Sequence, residues 1–477
     1  MAVGLAAAAC GSSGDDEGAA TTGSTSGGAS ATTAKGAGAV GRDGDDPTKW
    51  GVNGKTVTGP GGYTIDLSKC PANWKDNEGV TETEIRLAHS FAFSGQLAFY
   101  GGISNGVKAY LEHINKTEGG VAGKKFSLAV KDDAYEAARS KLNTDELLET
   151  VKPFSMPVMA GTPANLAIYD KLNESCVPHL FAATGHPAWS DPVNHPWTTG
   201  SFLTYPIEAS IWAEYIEKTW GKGTSVAALV LNNDFGLSYR NAFDKAAKER
   251  GLNLVKAELH DAAAATVTNE MTTLASTNAD VVILMTAGTA CPQAIQSLAA
   301  SSWKPKGKFI ASTCAGISTV FKPTGEAGRD FLITQYWKDG SDASFKDDPD
   351  VKKVRDLIQA GGFNPDDSWT NWGVWYTMPL VQIFKNAAAR PGGLTRTNLM
   401  IAAWSLSYDH PLNRGPAGNR IKFEMYGPKD PAFTEGAILS RYTIDPGAEV
   451  GKHVEFGQVI EQNGSSATCA WDGKQCK

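Results

Sequence analysis

An α/β chain made of two successive doubly wound, parallel-sheet units is what the sequence predicts, on three observations. From residue 85 onward, short apolar runs alternate with amphipathic stretches, the rhythm of strands separated by crossover helices. That rhythm halts at a Pro- and Trp-rich break over 186–205 and then starts again. The 477 residues, 42% hydrophobic and 20% charged, suffice for two or three packed cores at roughly 100–200 residues per domain.

Taken in order, the chain opens on a Gly-, Ser-, Thr- and Ala-dominated stretch over 11–47 that cannot bury enough apolar surface to offset chain entropy and reads as a disordered tether. Residues 48–84 carry Cys70 and several turn signals, and are expected to form an irregular extension packed on the first unit. The first series has strands at 85–89, 126–131, 157–160 and 179–182, with helices at 95–115, 134–150 and 165–174. In the first of these helices Ile103, Val107, Tyr110, Leu111 and Ile114 recur at three- and four-residue spacing, which places them on one buried face. The second series alternates helices at 207–219, 237–250, 267–276 and 292–300 with strands at 225–231, 252–259, 281–285, 308–311 and 331–335. Helices at 351–360, 369–388 and 395–404 follow, then strand-like alternation at 420–424 and 437–444. The chain thus returns to the first unit and afterwards to the second.

Charge and cysteines narrow the function. A formal net charge of −7 with scattered Lys and Arg argues against nucleic acid as a partner, since phosphate contacts need clustered cations. Lys124 and Lys125 sit beside turn residues and read as solvated surface. The opening MAVGLAAAAC is an apolar run ending in small residues and a cysteine, far too short to span a bilayer, which takes about 20 residues. It reads as the end of a secretory signal peptide, with Ala7-Ala8-Ala9-Cys10 resembling the lipobox of bacterial lipoproteins, in which the cysteine becomes the lipidated N-terminus. The basic segment that normally opens a signal peptide is not present ahead of it, and Leu5 lies further back than the usual pattern has it. The alternative is a low-complexity N-terminus that happens to contain a cysteine. Setting Cys10 aside leaves six cysteines, an even number suited to an oxidising, exported compartment. Cys469 and Cys476 would close a small loop. Cys291 and Cys314 each follow an apolar run and would meet if those runs are adjacent parallel strands. Cys70 and Cys176 remain as the third pair. None has metal-ligand spacing, and no metal or cofactor is expected.

The stretch IRLAHSFAFSGQLAFYGGISNGVKAYLEHINKTEGGVAGKKFSLAVKDDAY resembles the N-terminal signature of type I periplasmic binding proteins of the leucine/isoleucine/valine-binding kind. It has a strand, a Ser-Gly turn, a Tyr-Gly pair opening the helix, a Gly-Gly turn, and a second strand ending in acids. Later pieces match in order: MAGTPANLAIYD, PHLFAATG, WTTGSFLTYPIEA, LVLNNDFGLSYRNAF, ADVVILMTAG and FIASTCAG. The resemblance runs from about residue 85 to about 444. It implies two lobes joined by three crossovers, near 199–206, 335–337 and 412–419, with lobe 1 comprising 85–204 and 337–418 and lobe 2 comprising 205–336 and 419–477. It also implies a monomeric, extracytoplasmic solute-binding lipoprotein, held to the membrane by its lipid, that hands a small molecule to the permease of an ABC transporter.

In open parallel sheets, ligands bind beyond the carboxyl ends of the strands, where loops expose backbone N–H groups and helix N-termini. Here those loops hold Ser90, Phe93 and Ser94; Gly161, Thr162, Pro163 and Ala164; Ala183 and Thr184; Asp234 and Phe235; and Thr286, Ala287 and Thr289. By resemblance, the 161–164 and 183–184 loops hold a ligand carboxylate, Tyr100 lines the cleft from the first helix, and Phe235 closes over the ligand from the second lobe. Helix capping or turn stabilisation by Thr162 and Thr184, and core packing by Tyr100 and Phe235, are the alternative roles. Tyr336, at a crossover, joins the candidate set. Amino-acid binders of this family place an acid after the strand matching 281–285, to pair with the ligand ammonium. This chain has Thr286-Ala287-Gly288-Thr289 there. Either Asp234 or another acid supplies the charge, or the ligand is an aromatic or aliphatic carboxylate, an amide or a urea-like solute. Trp189, Trp197, Tyr205, Tyr336 and Trp337 would suit an aromatic ligand or simple interlobe packing.

An enzyme is the rival class. Gly101, Gly102 and Gly106 have the wrong spacing for dinucleotide binding, and neither a phosphate loop nor a nucleophile elbow occurs. Asp132 and Asp133 suit N-capping, and His179, His186 and His195 match no ligand motif. The extracellular sensor domain of a receptor shares this fold, but would be followed by a long apolar segment that the sequence lacks.

Overall fold

The computed structural model describes residues 42, 44–416 and 419–462. Cys10, most of the 11–47 stretch and the Cys469–Cys476 pair lie outside them.

The extension expected to be irregular is a small antiparallel sheet of β1 (Gly51–Asn53), β2 (Thr56–Thr58) and β3 (Thr64–Asp66), in register Val57↔Ile65. Each strand is only three residues long, too short for alternation to register. Val57 and Ile65 are buried between exposed neighbours, giving the sheet one apolar face. The extension is bound to the first lobe by the Cys70–Cys176 disulfide and by Trp74 Nε1 donating to the Cys176 carbonyl at 2.8 Å. Tyr63 adds a hydroxyl bond to the Pro196 carbonyl, also at 2.8 Å.

In the first lobe β4 (Glu84–Phe91) and β5 (Lys125–Asp132) pair in parallel along their whole length. The strand expected at 157–160 is extended chain instead. The segment 154–160 bonds to both neighbours, with Phe154 N to the Arg86 carbonyl at 2.7 Å and Val158 N to the Leu180 carbonyl at 2.8 Å, but the positive φ of Val158 breaks a regular ladder. β6 (His179–Ala182) and β7 (Thr198–Gly200) complete this side. The first helix begins at Gly101 rather than 95, after a 3₁₀ turn at Ala98–Tyr100. The second begins at Ala137 rather than 134 because Ala134 and Tyr135 both adopt positive φ.

The second lobe is a seven-stranded sheet. β8 (Ser225–Leu231), β9 (Asn253–His260), β10 (Val281–Met285), β11 (Gly307–Ile310) and β12 (Phe331–Gln335) run parallel, and β13 (Gly436–Thr443) and β14 (Lys452–Glu461) add antiparallel, in the order β14-β13-β12-β11-β10-β8-β9. β10 is buried throughout. Val281, Ile283 and Met285 enter one core and Val282 and Leu284 the other, because successive side chains of a strand point to opposite faces and helices cover both.

Three crossings join the lobes. The chain leaves β7 for the helix Tyr205–Trp220, leaves β12 for the helices Pro349–Ala360, Ser368–Ala388 and Arg396–Trp404, and finally enters β13. The last crossing falls later than the expected 412–419. Residues 421–433 still pack on the first lobe, with the Phe433 ring 4.9 Å from Phe181 and Phe423 5.3 Å from Trp375. The strand expected at 420–424 consists of isolated bridges, Ser407↔Glu424 and Phe423↔Thr434. The segment after the second crossing touches the 412–419 stretch where Trp337 bridges Asn413. There the fully buried Arg414 donates to the Trp337 carbonyl at 2.7 Å and meets Asp342 at 3.2 Å and Glu455 at 3.0 Å. Those partners supply the compensation that a buried charge requires.

Candidate functional site

The site lies where the carboxyl ends of both sets of strands face each other, and glycines set its geometry. Helix Gly101–Thr117 crosses helix Ser368–Ala388 so closely that a Cβ on Gly106 would lie 2.1 Å from the Thr370 carbonyl, and one on Gly373 2.0 Å from that of Ile103. This close crossing seats Trp372 and Tyr376 in the wall of a cleft cavity between the lobes.

On one side of the cavity the Thr162, Thr184 and Tyr205 hydroxyls form a chain, 2.5 Å between the threonines and 2.8 Å from Thr184 to Tyr205. Thr162 opens the helix Thr162–Glu174, whose preceding Gly161 has φ near 98° and gives its N-terminus no side-chain cap. A Cβ at Gly161 would lie 2.5 Å from the Tyr135 ring, which lines the cavity beside it. The positive φ of Tyr135 is held by Asp133, whose carboxylate accepts from Tyr135 N at 2.9 Å and from Ser90 Oγ at 2.7 Å. Burial raises the Asp133 pKa, an effect the Ser90 bond partly offsets. Asp132 likewise accepts from Ala134 N, Phe93 N and Ser94 Oγ. The two acids therefore staple the 90–94 and 132–135 loops together instead of capping the following helix.

From the second lobe come Phe235, whose helix start is capped by Asn233, together with Ala287 and Thr313. The lobes touch directly. Tyr100 Oη donates to the Thr313 carbonyl at 2.8 Å and accepts from Gly288 N at 3.3 Å. Thr289 bonds Gln96 through its N–H at 3.1 Å and through its hydroxyl at 2.6 Å. Gly288 is required here, with φ near 66° and a would-be Cβ only 2.6 Å from the Gln96 carbonyl. The Cys291–Cys314 disulfide ties together the two segments that Tyr100 bridges.

Of the residues singled out from the sequence, Tyr100, Gly161, Thr162, Ala183, Thr184, Tyr205, Phe235 and Ala287 line this cavity together. The others sit elsewhere. Ser90, Phe93 and Ser94 belong to the loop staple. Pro163 and Ala164 lie in the first turn of their helix. Thr286 bonds His260 at 2.7 Å, Thr289 bonds Gln96, and Tyr336 is buried in the aromatic cluster behind the wall, its ring 5.5 Å from Trp375. Asp234 is exposed and is not among the residues lining the cavity. Trp189 packs on Tyr169, Trp197 on Trp74, and Trp337 stacks on Trp372. Trp372, Tyr376, Tyr135 and Phe202 escaped the sequence reading. The first two lie in a helix that looks like any buried helix, and only the glycine pair at its crossing hinted at close approach.

Among the described residues, no charged side chain lines the cavity. Glu208, fully buried one layer behind it, accepts from Ser312 N at 2.9 Å, from Ser312 Oγ at 2.8 Å and from Tyr239 Oη. Burial pushes its pKa up to about 7 against the pull of those bonds. The three histidines considered as metal ligands make structural bonds: His179 bonds Asn165 at 2.8 Å, His186 Nδ1 accepts from Ala188 N at 3.2 Å, and His195 bonds Asp170 at 2.8 Å. Burial opposes the charged form of His195, but the Asp191 and Asp170 carboxylates prevail and raise its pKa. No helix among the described residues is long and apolar enough to cross a membrane.

Known structures share this architecture. A branched chain amino acid ABC transporter protein from Thermus thermophilus with bound valine superimposes with a TM-score of 0.70 at 18% identity, over 80% of this chain and 97% of that one. A fatty acid ABC transporter substrate-binding protein from Thermomonospora curvata gives 0.67 at 21% identity, over 85% and 96%. An ABC transporter solute-binding protein from R. palustris in complex with 4-hydroxybenzoate gives 0.65 at 18%, over 79% and 97%. No curated protein sequence matches the chain. The family profile described as periplasmic binding protein matches residues 84–426, most of the folded part. With that match, on two α/β lobes closing over a cavity, the chain belongs to the periplasmic binding protein family.

Proposed function

We propose that this chain is an extracytoplasmic solute-binding lipoprotein that captures a small molecule by cleft closure, delivers it to the permease of an ABC importer, and catalyses nothing. The observation that carries the reading is the cavity itself, whose wall is contributed by both lobes and which is bridged by Tyr100. A ligand that touches both lobes binds the closed form better than the open one, and its differential affinity drives closure. The solute falls among amino acids and small organic acids or amides; the similar structures from Thermus thermophilus and R. palustris hold valine and 4-hydroxybenzoate. Lipid on Cys10 would hold the protein at the outer face of the membrane, with the Gly/Ser/Thr stretch as spacer, and the protein acts as a monomer. The wall offers hydroxyls and aromatic rings but no charged side chain among the described residues to serve as an ionised acid, base or metal ligand, which favours binding over catalysis.

Thermal-shift screening against amino acids, organic acids, amides, sugars and nucleosides tests this. Stabilisation by at least one solute that is recovered unchanged is expected. A chain that no solute stabilises, or that converts one, would sink the proposal.

A further inference from the structure

We infer, building on the solute-binding reading, that the cleft selects an apolar, aromatic-bodied solute with a hydrogen-bond acceptor and no ammonium group, and that Trp372 and Tyr376 are its specificity-determining donors. Three observations carry this.

The first is the absence of a counter-charge. Among the described residues no carboxylate lines the cavity, and the acids nearby are committed. Asp133 holds Ser90 and the Tyr135 backbone, and Glu208 is enclosed by Ser312 and Tyr239. The loop after β10, Thr286 to Thr289, contributes Ala287. An ammonium enclosed here would lose its hydration without a partner, a penalty of several kcal/mol.

The second is a pair of wall groups whose hydrogen-bonding capacity is not used up. Trp372 and Tyr376 are one helical turn apart, both line the cavity, and both are buried. Among the described residues the Trp372 indole N–H has no hydrogen-bond partner, and the Tyr376 hydroxyl has the Tyr336 hydroxyl beside it without a bond of good geometry. A buried donor left unsatisfied costs about 1–3 kcal/mol, so a solute acceptor at this turn is favoured.

The third is the wall between these donors and the Thr162–Thr184–Tyr205 hydroxyl chain. It is built of rings, with Phe202 5.2 Å from Trp372 and Phe235 5.2 Å from Tyr205. Such surfaces favour a flat apolar body in stacked or edge-on contact.

Calorimetric titration of the purified full chain with matched pairs decides the matter: 3-phenylpropanoate against phenylalanine, 4-methylpentanoate against leucine, and 4-methylbenzoate against 4-(aminomethyl)benzoate. The amine-free member should bind at least tenfold tighter in each pair that binds, and the aromatic acids tighter than the aliphatic one. Tyr376→Phe, which deletes only the hydroxyl, should weaken that binding about tenfold without lowering the melting temperature of the unliganded protein. Trp372→Phe should weaken it as well, with some loss of stability from the smaller ring. Tighter binding of the amine-bearing members overturns the inference, as does unchanged affinity in Tyr376→Phe. If no pair binds, the inference falls. The solute-binding reading then stands or falls separately with the broad thermal-shift screen.

Discussion

The Tyr100 hydroxyl, on the first lobe, donates to the Thr313 carbonyl on the second at 2.8 Å while accepting from Gly288 N. One phenol thereby joins two segments of the opposite lobe that the Cys291–Cys314 disulfide already holds together. The bridge connects lobe to lobe without passing through a ligand atom.

Tyr100→Phe keeps the ring, which packs edge-on against Trp369 at 4.5 Å, and removes both bonds. A net loss of about 1–2 kcal/mol from the closed state is expected. It should appear as roughly tenfold weaker solute binding by calorimetry and as a larger radius of gyration by small-angle scattering. Scattering identical to wild type would show that the bridge does not hold the lobes closed.

Glu208 predicts a pH dependence. Its folded pKa is raised to about 7 from the ordinary glutamate value of 4.5, so between those values the folded state binds more protons than the unfolded one, and stability falls as pH rises. His195, also raised, acts in the same direction above its ordinary pKa, whereas buried His89 and His410, lowered to about 3, act oppositely below it. The difference between wild type and Glu208→Gln isolates the glutamate. The variant should gain relative stability from pH 5 to pH 8, by up to ~3 kcal/mol, in denaturant titrations. A flat difference would refute the assignment.

The two disulfides should contribute unequally. Cys70–Cys176 spans 106 residues and Cys291–Cys314 spans 23, and chain entropy gives about 4–5 and about 3 kcal/mol respectively. Paired alanine variants should lower the melting temperature in that order. The Cys291–Cys314 variant should additionally weaken solute binding, because the segments bridged by Tyr100 lose their tie.

Gly106→Ala should be among the most damaging small substitutions. Its Cβ would meet the Thr370 carbonyl at 2.1 Å, forcing two packed helices apart at a cost of about 1–3 kcal/mol. Because Trp372 and Tyr376 lie on the displaced helix, thermal melts and solute titrations should both register the change. Gly119→Ala, in open space, serves as the control, although its positive φ adds a small strain of its own.

What could be read in advance followed from local physics. The runs 281–285 and 226–231 are apolar at every position because both faces of a central parallel strand are covered, and they lie in β10 and β8. Cys291 and Cys314 were paired from their places at the ends of two runs, and β10 and β11 do lie side by side. The three-residue strands of the extension were invisible because alternation needs length, and the helix starts at 98–101 and 137 depended on backbone angles imposed by neighbouring loops.

By itself the sequence determined the α/β class, the two strand–helix series and the loop set from which six cavity residues come, since periodicity, turn chemistry and apolar runs are written within a few residues of one another. Only the tertiary structure decided that Trp372 and Tyr376 face the same cavity as Thr162 and Phe235, that Asp234 stays outside it, and that the chain makes its last crossing just before Gly436. Those outcomes rest on contacts between segments more than a hundred residues apart, where close approach at Gly106 and Gly373 and the direction of a crossover set positions that no local pattern encodes.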